Sequence, residues 1–111
     1  MKDDPLHEPF LLPHLTLRNR IVSTAHAPPY EEGGHPRSRY RLYHEEKEKG
    51  GIGQTIIGGS TNIAPNSPSR FGQLYAGDHS IIPWFQKLTD GVRSHGATAM
   101  CQITHMGRRA A

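Results

Sequence analysis

The stretch PRSRYRLYHEEKEKGGIGQTIIGGS, residues 36–60, decides the fold. It opens on Pro36, which a first helical turn tolerates, and its charged half stops at Gly50–Gly51, where glycine easily forms a left-handed cap. Between them the spacing predicts a helix of about three to four turns. Tyr40, Leu42 and Tyr43 would form its buried stripe, with Glu45 and Lys49 paired four apart on the wet side. Residues 52–57 (IGQTII) are too few for a helix and rich in β-branched types, which predicts a buried strand ending at Gly58, Gly59 and Ser60.

The same alternation continues on both sides. Downstream, Ser80 caps a predicted second helix with Ile81, Trp84/Phe85, Leu88 and Val92 at spacings of three and four, Pro83 in its first turn and Gly96 at its end. ATAMCQI, residues 97–103, then reads as a third buried strand delivering Gln102, Thr104, His105, Gly107, Arg108 and Arg109. Residues 61–79 form a long loop containing Pro65, Pro68, Gly72 and Gly77 and exposing Arg70 and Tyr75, and loops of that length are usually functional. Upstream, residues 21–25 make a short strand stopped by Pro28–Pro29, and residues 9–17 suggest a two-stranded ribbon around Pro13–His14. Ribbon, strand, helix, strand, helix, strand is the order of an α/β fold with a parallel sheet and helices outside it. Ligands in such folds lie at the carboxyl ends of the strands, so STAHA, GGSTN and QITHMGR should surround one pocket.

Composition narrows the class. The 111 residues suit one ordinary domain, and Leu, Ile, Val and Phe make up 21 of them, near the lower limit for a folding chain. The formal charge is only +3, with 13 basic and 10 acidic residues interleaved, which excludes a disordered tail or polybasic arm. No apolar run approaches the ~18 residues of a membrane span. The acidic, Pro-broken first residues do not resemble a signal peptide, so a cytoplasmic location is expected. Cys101, the single cysteine, removes a disulfide framework and any iron–sulfur site built within this chain. The basic residues are dispersed and aromatics are 7%, without the stacking platforms of a nucleic-acid partner.

Gly53–x4–Gly58 lacks the lysine of a phosphate loop, and the glycines at 50–53 precede a strand where a dinucleotide fingerprint must follow one. Gly50 and Gly51 are caps, while Gly58 and Gly59 either end a strand or let a flat ligand approach the backbone. The eight histidines include no pair at metal-ligand spacing, and Glu48 stands where His44–Glu45 would need a second histidine, so no metal is expected. His7, His14, His35, His44 and His95 read as surface or boundary residues. His26 and His105, just past strand ends, are the candidates for donating to an anionic or carbonyl oxygen. Cys101 should be buried and inert. Arg108 either holds an anionic group or pairs with a neighbouring acid, and Arg109 faces solvent.

Three stretches carry a resemblance: LTLRNRIVSTAHAPPY, YHEEKEKGGIGQTIIGGSTNIAPNSP and IPWFQKLTDGVRSHGATAMCQITHMGRR. From about residue 5 to 109, with L-x-N-R, G-G-x-G and Q-x-x-H-x-G-R in order, the chain resembles the start of the old yellow enzyme family of FMN-dependent oxidoreductases. The similar branch contains dimethylamine and trimethylamine dehydrogenases, N-methyl amino-acid demethylases and 2,4-dienoyl-CoA reductases. The resemblance implies a (β/α)8 TIM barrel opened by a hairpin, of which residues 1–111 would supply three strands and two helices. It implies a non-covalent FMN across the strand ends, touched by the backbone of Thr24, Ala25 and His26, by Gly59, and at its pyrimidine edge by the Gln102 amide, which offers donor and acceptor together. Ala27 falls on the slot that tunes the flavin in relatives, and alanine can neither bond to the ring nor hydrogen-bond to it. His105 and Arg108 match the H-x-G-R element.

The resemblance also implies hydride transfer through the flavin for a small-molecule substrate, either an N-methyl amine or an activated alkene reduced with NAD(P)H. His26 and the GGS of residues 58–60 look closer to the demethylase side. Later strands would complete the substrate site and the FMN phosphate site, and NAD(P)H and an iron–sulfur cluster would belong only to a full-length protein. The alternative is a truncated, inactive piece or an interaction piece.

Overall fold

The computed structural model describes residues 4–67 and 72–109. A 3-10 turn, Pro5–His7, leads into an antiparallel hairpin of β1 (Phe10–Leu12) and β2 (Leu15–Leu17), turned at Pro13–His14. Short β3 (Val22–Ser23) precedes α1 (Ser38–Lys49), β4 (Gln54–Asn62), β5 (Leu74–Tyr75), α2 (Ile82–Ser94) and β6 (Thr98–Thr104). β4 is the centre of a parallel sheet. β6 pairs along one side of it from Gln54 to Asn62, while β3 pairs at its start and β5 at its end. Tyr40, Ile57, Leu74, Ile81, Leu88, Val92 and Ala97 form the core between the helices and this sheet.

Several expectations are corrected. The second strand does not end at Gly58. It passes through Gly58 (φ +103°) and Gly59 (φ +53°) as a bulge, and pairing with β6 resumes at Thr61–Ile103. Only glycine enters that backbone region cheaply. The long loop contains β5, and Pro68 and Arg70 lie outside the described residues. Asp78, not Ser80, is the cap: its carboxylate accepts from the Ser80 N–H at 2.8 Å, opening a 3-10 turn (His79–Ile81) that runs into α2.

The buried face of α1 is Tyr40, His44 and Glu48, one residue per turn, while Leu42 is exposed and Tyr43 half-buried. Glu45 pairs with Arg41 at 3.4 Å and His95 at 3.6 Å, not with Lys49, which meets Glu46. His44 is therefore a core residue, with Nδ1 3.1 Å from the Thr55 hydroxyl. Cys101 is exposed, because β6 pairs with β4 alone among the described residues and leaves its outer edge open; its sulfur lies 3.5 Å from Thr61 Oγ1.

Arg18 and Asn19, from L-x-N-R, close the opposite end of the sheet from the strand ends that carry the candidate residues. The Arg18 guanidinium donates to the carbonyls of Glu48, Ile52 and His95 at 2.5–3.0 Å, and so ties the carboxyl ends of both helices together. Asn19 Nδ2 donates to the Gly51 carbonyl at 2.6 Å. A Cβ on Gly53 would sit 2.6 Å from the Asn19 carbonyl oxygen, so the glycine after the helix admits this close crossing.

Candidate functional site

Beyond β3 the chain runs irregularly through Thr24, Ala25, His26 and Ala27, and the Gly58–Gly59 bulge lies beneath it. A Cβ on Gly59 would come 2.6 Å from the His26 carbonyl oxygen and closer still to the peptide carbon and the Ala27 nitrogen. The space a side chain would need is thus filled by the His26–Ala27 peptide. From β6, Gln102 Nε2 donates to the Gly59 carbonyl at 2.6 Å, and the Thr104 hydroxyl reaches Ser60 Oγ at 3.3 Å. Three strand ends distant in sequence meet at one glycine.

His26 is exposed and both its ring nitrogens are engaged, Nδ1 with the Thr24 carbonyl at 3.3 Å and Nε2 with the Tyr43 hydroxyl. A carbonyl only accepts, so in the neutral ring Nδ1 carries the proton and Nε2 receives the tyrosine's hydrogen. The imidazole thereby fastens the 24–27 segment to α1. Lys47 assists from the next turn, with Nζ 4.6 Å from the Tyr43 ring and 3.1 Å from Ser23 Oγ. The backbone N–H groups of residues 25–27 donate to no described residue, and Gln102 keeps its amide oxygen and one amide hydrogen free of described partners.

His105 stands at the end of β6. Its Nδ1 accepts the Gly107 N–H at 2.9 Å, which leaves the hydrogen on Nε2, 3.1 Å from Asn66 Oδ1. The turn carrying Asn66 is held by Ser67, whose hydroxyl accepts the Met106 N–H at 2.9 Å. Arg108 lies exposed in the 3-10 turn Gly107–Arg109 and pairs with no described acid. His105 and Arg108 thus flank the Gly59 cluster without joining its hydrogen bonds. No three His, Cys, Asp or Glu side chains converge as metal ligands among the described residues.

Burial tunes the groups behind the site. His44 is depressed to about 3, first by desolvation and then by Lys47 and His26, so it stays neutral near pH 7. Burial pushes the carboxyl of Glu48 up and the Lys47 ammonium down, and partial desolvation of the sulfur against Thr61 raises the thiol of Cys101 although the residue as a whole is exposed. Sequence reading missed Tyr43 and Asn66 as partners of the two histidines. Tyr43 has the spacing of a core stripe, and nothing in the motif places Asn66, 39 residues before His105, beside it.

The model of the NADH:flavin oxidoreductase / NADH oxidase family matches residues 5–111. The chain belongs to this family. It is 48% identical over 109 residues to a probable N-methylproline demethylase of Rhizobium meliloti (strain 1021), covering 98% of this chain and 16% of that protein. It is 45% identical over 106 residues to a multifunctional alkene reductase/demethylase of Caballeronia cordobensis, covering 96% and 16%. A solved 2-naphthoyl-CoA reductase complex superposes with TM-score 0.86 at 25% identity, covering 94% of this chain and 16% of that one. The chain therefore spans about a sixth of these family members' length.

Proposed function

We propose that this chain is the part of an FMN-dependent oxidoreductase that receives one end of the flavin ring, and that it forms the opening strands of a (β/α)8 barrel. The meeting of His26–Ala27, Gly59 and Gln102 at one end of the sheet carries the reading. The donor set fits a flat heteroaromatic edge: N–H groups at residues 25–27 without a partner among the described residues, and an amide with one donor and one acceptor to spare among them. Thr24, Ala25, His26, Ala27, Gly59 and Gln102 would hold the ring. FMN bound there supplies a centre that accepts and returns a hydride.

The protein's own contribution is orientation. Gln102, braced on the Gly59 carbonyl, presents its amide at a fixed angle, and Tyr43 holds His26 and with it the 25–27 backbone. The Ala27 side chain can form neither a covalent bond nor a hydrogen bond to the ring, so the flavin stays non-covalent. Oxidative N-demethylation of an N-methyl amine is the favoured reaction, supported by the names of the relatives; alkene reduction with NAD(P)H is the second. Arg108, exposed and paired with no described acid, would meet an anionic group at the rim, beside His105 held by Asn66 and the Gly107 N–H.

Purification of the chain in the presence of FMN tests the binding reading. A retained yellow band that bleaches on dithionite supports it, and a colourless folded protein overturns it. In that event the alternative of a non-catalytic piece stands, favoured by the open edge of β6. Assays of a longer protein containing this chain, with N-methylproline and with an enone, separate the two reactions.

A further inference from the structure

The amino-terminal halves of α1 and α2 border an open cavity of about 340 Å³ lined by Pro36, Arg37, Ser38, Arg41, Trp84 and Lys87, none of them part of the Gly59 cluster. No acidic side chain among the described residues lines it. The Arg37 guanidinium carbon stands 4.7 Å from the Trp84 ring centroid and Lys87 Nζ 5.2 Å from it, while His35 stacks against the same ring at 5.9 Å. Neither Arg37 nor Lys87 pairs with a described acid. Arg41 is partly balanced by Glu45, which His95 shares.

The helix entering this cavity adds to the positive field. Arg37, at the cap position of α1, makes no side-chain hydrogen bond to the first turn, and no acid occupies that turn. Its leading N–H groups are left without a capping side chain, at the positive end of the helix dipole. Three cations, an aromatic wall and open amides thus surround a space of ligand size.

We propose that this cavity binds a phosphoryl anion, with Arg37 and Lys87 as its principal ligands and Trp84 as the plate that orients them. A guanidinium fork matches phosphate oxygens two at a time, and a lysine adds a point charge. A dianion offsets the cations better than a carboxylate. The proposal does not depend on the flavin reading, because it uses none of those residues.

Trp84 is the sole tryptophan, so its fluorescence reports this cavity alone. The chain is titrated with inorganic phosphate and with diphosphate, against sodium chloride at equal ionic strength and against acetate, with far-UV circular dichroism recorded at each end point. A saturable emission change is expected with phosphate, tighter with diphosphate. Arg37→Gln and Lys87→Gln, both at exposed positions, should each weaken it about tenfold, with Lys87→Arg restoring most of the loss. An equal response to sodium chloride at matched ionic strength, or equal affinities in wild type and both glutamine variants, overturns the site. An equal response to acetate overturns the phosphoryl assignment.

Discussion

At Gly59 one hydrogen atom in place of a methyl group lets three segments meet. Gly59→Ala would carry a positive φ and drive its Cβ into the His26–Ala27 peptide, and should destabilise the chain by about 2 kcal/mol or more. Gly33 separates the two causes, since it also has positive φ (+63°) but open space where a Cβ would go. Gly33→Ala should lose only the backbone part, about 1 kcal/mol, with urea midpoints as the measure. His44 makes stability depend on pH. Its folded value of about 3 lies below the ordinary 6.5, so the unfolded chain binds more protons, and stability falls as pH drops from about 6.5 toward 3. At pH 5 the loss relative to pH 7 is about 2 kcal/mol. Glu48 has the opposite sign, its raised carboxyl favouring lower pH, so the comparison is wild type against His44→Gln, in which the His44 share disappears. The strand-end candidates were legible because polar and glycine residues collect after each strand. The burial of His44 was not, since a histidine in a Glu- and Lys-rich helix reads as wet until Thr55 of β4 is placed opposite it.

Among the elements, the helices were legible from their stops at Gly50 and Gly96, and the strands from short β-branched runs. The inner face of α1 was not, because a search for apolar periodicity cannot find a stripe made of Tyr40, His44 and Glu48. β5 went unread for a different reason: two residues carry no period. Arg18 falls on the unspecified position of L-x-N-R, and its role depends on where two helices end. Arg18→Ala leaves the Glu48, Ile52 and His95 carbonyls without their shared donor, and should cost about 3 kcal/mol. Arg18→Lys, a point charge in place of a fork, should recover only part of it. Thermal unfolding should fall by about 4–8 °C per kcal/mol for a chain of this size.

For the molecule as a whole, the alternation of strands and helices was legible and the shape was not. The radius of gyration is 15.1 Å, against about 13 Å for a compact domain of this length. The hairpin and β6 leave apolar residues exposed, including Leu11 at 76% and Ile103 at 63%. An edge strand bearing Met100 and Ile103 is a template for pairing with another chain. The isolated chain should therefore self-associate, and Ile103→Lys should shift sedimentation toward the monomer. The glycine bulge has a consequence in parity. Between the paired positions Ile57–Cys101 and Thr61–Ile103, β4 takes four steps while β6 takes two. The surplus is even, so Ile57 and Thr61 keep the same face, and both are buried. Removing Gly58 and Gly59 together should leave a regular strand that still folds but has no seat for the His26–Ala27 peptide. Removing either one alone should turn the rest of β4 inside out, so that odd and even deletions distinguish what the chain needs to fold from what it needs to hold its ligand.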